Sequence, residues 1–175
     1  MTTKQRGVLA GMLAALGVGI TLVAASMAWS PLELTADLDL EGRLRLAAGS
    51  CMVLIISLAI AIGCLAKHRF LTPADMDGAA GGAGSARARI LQSLLQNTLE
   101  QAVLAGGIYL CWSVWMPPQW LSVPPVAAIA FGIGRIFFFA GYEKGAPGRA
   151  FGFALTFYPS VLMLAVLVVY ISVLG

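Results

Sequence analysis

FGFALTFYPSVLMLAVLVVYISVL, residues 151–174, runs without one charged side chain. A helix needs about twenty apolar residues to cross a hydrocarbon core of about 30 Å, and this stretch supplies them. Four more stretches of similar length precede it, near Val8–Trp29, Leu46–Ala66, Ile90–Trp115 and Pro124–Tyr142. None shows the short period-two alternation of a membrane barrel. Backbone groups in lipid must pair within their own segment, which selects helices. The fold expected is therefore all-α, an integral membrane helical bundle.

Composition agrees. Of the 175 residues, 59% are hydrophobic and only 11% charged, with mean hydropathy +0.88. A soluble domain carries roughly a quarter charged residues. The net charge of +3 is small, and the basic residues sit at the ends of apolar runs. They form no stripe of the kind that binds nucleic acid. Cys51, Cys64 and Cys111 lie inside apolar runs with no disulfide or metal-ligand spacing, and read as small buried hydrophobes. No metal site is expected, and no nucleotide loop or Ser/His/Asp constellation is visible. The first apolar stretch exceeds the roughly 7–15 residues of a secretory signal core, so a retained anchor is expected.

The connections alternate in charge. Residues 30–43 hold Pro31, Glu33, Asp37, Asp39 and Glu41; residues 67–89 hold Lys67, His68, Arg69, Arg87 and Arg89 around a Gly/Ala-rich centre, Gly78 to Ala86. The third connection, around Met116–Trp120, is uncharged, and the fourth carries Glu143, Lys144 and Arg149. Basic loops stay in the cytoplasm, which puts the N-terminus and the second and fourth connections there and the C-terminus outside. The location expected is the inner or plasma membrane if the protein is bacterial. Trp112, Trp115 and Trp120 then read as an aromatic belt at the opposite interface.

Chemistry has to come from polar residues that lipid would reject. At 100° per residue, Arg89, Gln92, Ser93, Gln96, Asn97, Glu100 and Gln101 share one half of a helix, a stripe suited to a cavity or a partner helix. Arg135 lies inside the fourth stretch, roughly 10 Å from its cytoplasmic end at 1.5 Å per residue. Glu100 lies at a similar or slightly greater depth, so the two are expected to pair, either to fix helix register or as part of an active site. Pro159 is expected to kink the last helix, and Gly106, Gly107, Gly132 and Gly134 to suit close helix contact.

Asn97-x-x-Glu100 on one helix, Arg135 followed by Gly141-Tyr142, then Gly145-Ala-Pro-Gly-Arg149-Ala-Phe-Gly152 before the last helix, together resemble the MAPEG family. These are membrane-associated proteins of eicosanoid and glutathione metabolism, microsomal glutathione transferases among them. The resemblance covers about residues 46–175. It implies four family-like transmembrane helices, with residues 1–45 adding an extra N-terminal transmembrane helix and an acidic loop. It also implies a homotrimer that binds glutathione as co-substrate at subunit interfaces near the cytoplasmic face, and a lipophilic small-molecule substrate delivered by membrane lipid. Carried over by position, Arg149 is the catalytic residue beside the thiol, while Asn97, Glu100, Arg135, Tyr142 and, more loosely, Lys67 belong to the glutathione site. The chain departs from the family at three positions. Ser93 and Gln96 stand where catalytic members carry arginines, and Phe138 where the synthases carry a histidine. Arg89, one turn from Ser93, is the candidate to compensate. Two functions follow: a glutathione-dependent transferase or peroxidase, or a non-catalytic membrane lipid-binding or scaffold protein on the same fold.

Overall fold

The computed structural model describes residues 1–29, 38–78 and 84–174. Pro31, Glu33 and Asp37 of the acidic loop, and positions 79–83 of the Gly/Ala-rich centre, lie outside the described residues. Five long helices follow one another: α1 (Thr3–Ala28), α2 (Leu40–Leu71), α3 (Ala86–Trp115), α4 (Val123–Gly141) and α5 (Gly145–Leu174). α1, α2 and α3 outrun their apolar stretches, because each continues on a polar first turn that starts with a side-chain cap. Thr2 forms a reciprocal capping box with Gln5, Asp39 accepts from the Gly42 N–H, and Ser85 accepts from the Ala88 N–H.

Among the described residues, three stretches are long and apolar enough to cross a membrane: α1, α2 and the run Pro118–Val173, with mean hydropathies of 2.3, 2.4 and 2.2. The last of these is divided by the turn at Tyr142–Lys144 into α4 and α5. Gly145 makes that turn with φ +81°, a left-handed conformation that a side chain would strain. α3 is 30 residues long, and the polar stripe dilutes its first half.

α1 packs chiefly on α5, α5 on α4, α4 on α2, and α2 on α3. The α1–α5 seam is made of small residues at four-residue spacing. Gly7 lies against Pro147, Gly11 against the Ala150–Phe151 backbone, Ala15 in a cluster with Ala154 and Leu155, and Gly19 against the Pro159 ring. Lipid tails are as apolar as leucine, so close backbone approach holds such a seam, not escape from water. α4 meets α5 more tightly still. A Cβ on Gly134 would stand 2.7 Å from Thr156 Cγ2 and 3.0 Å from the Gly152 carbonyl, and one on Gly141 would collide with the Gly148 carbonyl. Of the other glycines expected at contacts, Gly132 meets Val53 and Gly106 meets Cys51 and Leu54, while Gly107 has no neighbour.

The N-terminus, the α2–α3 connection and the α4–α5 junction share one end of the bundle, hereafter the N-terminal end. Gly7 touches Pro147 there, and Arg87 pairs with Glu143. At the distal end the Ser122 hydroxyl donates to the Ser26 carbonyl at 2.8 Å, and Arg43 donates to the carbonyls of Leu38, Ser113 and Met116. The carbonyls at the end of α3 thus receive a cation where the helix dipole favours one.

Two expectations are corrected here. Trp112 is fully buried and donates its indole N–H to the Trp120 carbonyl at 2.8 Å, so it is a core residue and not part of a belt; Trp115 is exposed. Cys64 and Cys111 face outward, and only Cys51 packs against the core. Helix α5 runs through Pro159, which lies buried against α1.

Candidate functional site

The glycine contacts between α4 and α5 fix what projects from the junction of the two helices. Because Gly141 and Gly148 meet backbone to backbone, Tyr142 and Arg149 are held beside each other, the guanidinium carbon 4.3 Å from the centre of the phenol ring. That face of the ring attracts a cation. The ring also packs in a T-shaped pair with Phe138, 5.5 Å between centroids at 80°. These residues border a cavity of about 390 Å³, within the range of roughly 300–1,000 Å³ usual for small-molecule sites. Ser93, Asn97, Tyr142 and Arg149 form its polar side; Val8, Met12 and Phe153 are prominent on its apolar side. Among the described residues no carboxylate bridges to Arg149, so its charge is free to meet an anion in the cavity.

Behind the cavity lies Arg135, 3% exposed. Its Nη1 donates to Asn97 Oδ1 at 2.9 Å and its Nη2 to Thr156 Oγ1 at 2.7 Å; the guanidinium carbon lies 4.4 Å from the Phe138 ring centre and 5.6 Å from that of Phe131. Arg135 therefore holds Asn97 at the cavity wall and stiffens the ring that supports Tyr142.

Over residues 44–169 the sequence matches the MAPEG family. The chain belongs to the MAPEG family. It is thus a membrane protein of the family of glutathione and eicosanoid metabolism, and its helical bundle is integral to the membrane. α1 lies before the matched residues. No curated protein and no solved structure matches the chain.

Of the positions carried over from the MAPEG motifs, Asn97, Tyr142 and Arg149 line the one cavity, and Arg135 backs it. The ion pair expected between Glu100 and Arg135 is not formed in the subunit. Glu100 is exposed and accepts from Gln96 Nε2 at 3.0 Å, whereas Arg135 points at Asn97, one turn nearer the N-terminal end. The reason is rotational. Asn97 and Glu100 differ by about 60° around the helix, and only Asn97 faces α4. Arg89 is also off the cavity, its Nη1 donating to the Gly84 carbonyl at 2.7 Å, so it does not stand in for the arginine missing at Ser93. Lys67 is exposed at the end of α2 and does not line the cavity.

The sequence reading missed Thr156, the second acceptor for Arg135, and the α1 residues Val8 and Met12. A threonine four residues after a glycine in an apolar helix was the available signal for Thr156. For Val8 and Met12 it was the Gly7/Gly11 spacing around them. A Ser/His/Asp cluster is also present, contrary to expectation. His68 Nε2 lies 2.9 Å from Asp75 Oδ2, which accepts from the Ser85 hydroxyl at 2.6 Å, and Asp75 Oδ1 accepts from the Ser85 N–H at 2.7 Å. His68 Nε2 also lies 3.4 Å from the Ser85 hydroxyl, but it is the same nitrogen that meets Asp75, whereas a catalytic triad needs the carboxylate on the other ring nitrogen. Ser85 already caps α3, so the cluster is a clasp on the α2–α3 connection. The hydroxyl and N–H of Ser85, and then His68, hold the Asp75 carboxyl below the usual carboxylate range. Among the described residues no group of His, Cys, Asp and Glu could hold a metal ion.

Proposed function

We propose that the protein is a glutathione-dependent transferase or peroxidase for lipophilic electrophiles, with Arg149 as the thiol-activating residue. One observation carries the reading: a free guanidinium, a phenol and a carboxamide from separate helices meet in one cavity whose other wall is apolar. A thiolate is the nucleophile in such chemistry, and a fixed cation beside a thiol lowers its pKa from the ordinary value of about 8.5. Arginine stays protonated throughout the relevant range and does this without titrating. Tyr142 donates a hydrogen bond, and Asn97, held by Arg135, binds the tripeptide.

In transfer, the thiolate sulfur forms a bond to the electrophilic carbon while the leaving group departs with its electron pair, or an opened ring oxygen takes a proton. In peroxide reduction, two glutathiones reduce one hydroperoxide to alcohol and water and become a disulfide. The N-terminal end of the bundle faces the cytoplasm on the charge of its loops. The exposed stripe of Ser93, Gln96 and Glu100 on α3 suits contact with further copies in a homotrimer, since lipid does not solvate it.

The test is equilibrium binding of glutathione to the purified protein. Binding that weakens about tenfold or more in Asn97→Ala, as expected when a hydrogen-bonding partner in the site is lost, supports the proposal. Absence of saturable binding contradicts it. A second reading, a lipid-binding protein without catalysis, is favoured by one feature: among the described residues Arg149 is the one cation in the cavity lining, with Ser93 and Gln96 at positions where catalytic members carry arginines. Saturable lipid binding without glutathione binding would establish it.

A further inference from the structure

We infer that Met12 of α1, a helix outside the family match, is the specificity-determining residue for the lipophilic co-substrate. The inference rests on the proposed function and adds where the apolar partner lies. Met12 and Val8 are apolar lining of the same cavity as Asn97 and Arg149. They reach it because Gly7 and Gly11 carry no side chain. A Cβ on Gly7 would stand 3.1 Å from Pro147, and one on Gly11 3.1 Å from the Phe151 nitrogen, so α1 lies directly on the start of α5.

A second, outer cavity, of about 460 Å³, lies nearer the start of α1 and is bordered also by Met1, Thr2, Lys4, Gln5 and Leu9. Val8, Met12 and Ala146 belong to both linings, so these three side chains form the partition. Valine is stiff and alanine short. Methionine has three rotatable bonds and a deformable thioether, and it alone of the three can swing aside. A short electrophile is accommodated in the inner cavity with its reactive carbon toward the Arg149 side. A long chain passes Met12 into the outer cavity and lies along α1.

Met12 sets the chain-length preference, and turnover of a short-chain and a long-chain alkyl electrophile by the purified full-length protein measures it. Met12→Trp closes the passage and lowers kcat/KM for the long chain relative to the short one by about tenfold or more, the scale of a steric change in an apolar pocket. Met12→Ala opens it and moves the ratio the other way. Leu13→Trp, on the exposed face of α1, leaves the ratio unchanged. A ratio unmoved by both Met12 variants, or moved equally by Leu13→Trp, overturns the inference.

If glutathione chemistry itself is absent, a diazirine-bearing alkyl chain gives a separate reading. Labelling at Met12 that excess unlabelled chain displaces, while labelling at Leu13 persists, supports the inference. Labelling not displaced at Met12 overturns it.

Discussion

Arg135 is a buried cation bonded to neutral groups, and Thr156→Val tests this most sharply. The substitution keeps side-chain volume but deletes the acceptor 2.7 Å from Arg135 Nη2. Thr156 and Arg135 are 2% and 3% exposed, so water has no ready access to the vacated N–H. A hydrogen bond to a charged group is worth about 1.5–3 kcal/mol, and the loss should fall in that range. In Thr156→Val/Arg135→Met the second change costs less than it does alone, with a coupling of about 1–3 kcal/mol. In Glu100→Gln/Arg135→Met the losses add to within about 0.5 kcal/mol, because Glu100 faces away from Arg135. Reversible unfolding of the purified protein in detergent, followed by a probe of tertiary structure, supplies all four corners of each cycle. A Thr156→Val cost below about 0.5 kcal/mol, or coupling between Glu100 and Arg135, would refute the assignment.

Other consequences are more local. Gly134→Ala forces a methyl against Thr156 and the Gly152 carbonyl and should cost about 1–3 kcal/mol, read as a lower melting temperature in detergent. The Asp75 carboxyl is held below its ordinary range, so its clasp is complete above an unfolded-state pKa of about 3.9 and is lost as pH falls through the lower folded value. Proteolysis of the α2–α3 connection by an acid-active protease should rise over that interval, and Asp75→Asn should remove the dependence; an unchanged profile in the variant would argue against the clasp. Reporter fusions after Ser85 and at the C-terminus should land on opposite sides of the membrane, with the Ser85 fusion in the cytoplasm.

α1, α2 and the run that holds α4 and α5 were legible because lipid imposes one rule on them, an apolar run of sufficient length, whereas α3, with its polar first half, falls short of it. The MAPEG motifs were legible for a related reason, since a polar side chain inside such a run has few innocent explanations. Which polar groups touch was less accessible. Counting 1.5 Å per residue places a side chain to about one turn, or 5.4 Å, and Asn97 and Glu100 are less than that apart along the axis. Choosing between them required the rotation of α3 against α4. The part played by α1 was hidden differently. Its faces are uniformly apolar, and the inward one is marked only by small residues, Gly7, Gly11, Ala15 and Gly19, which hydropathy does not register. The clasp of His68, Asp75 and Ser85 spans a connection whose return path no local pattern encodes.

The ultraviolet absorbance of glutathione thiolate, measured on binding at neutral pH to wild type and to Arg149→Ala, tests the central claim most directly. The account predicts a thiolate band with wild type. In the variant it predicts retained assembly and glutathione binding, at lower affinity if anything, without the band. If Arg149 only anchors α5 at the interface by snorkelling, the variant inserts or assembles poorly and the surviving protein ionises the thiol as well as wild type does. An equal thiolate band in both proteins would contradict the claim that Arg149 activates the thiol.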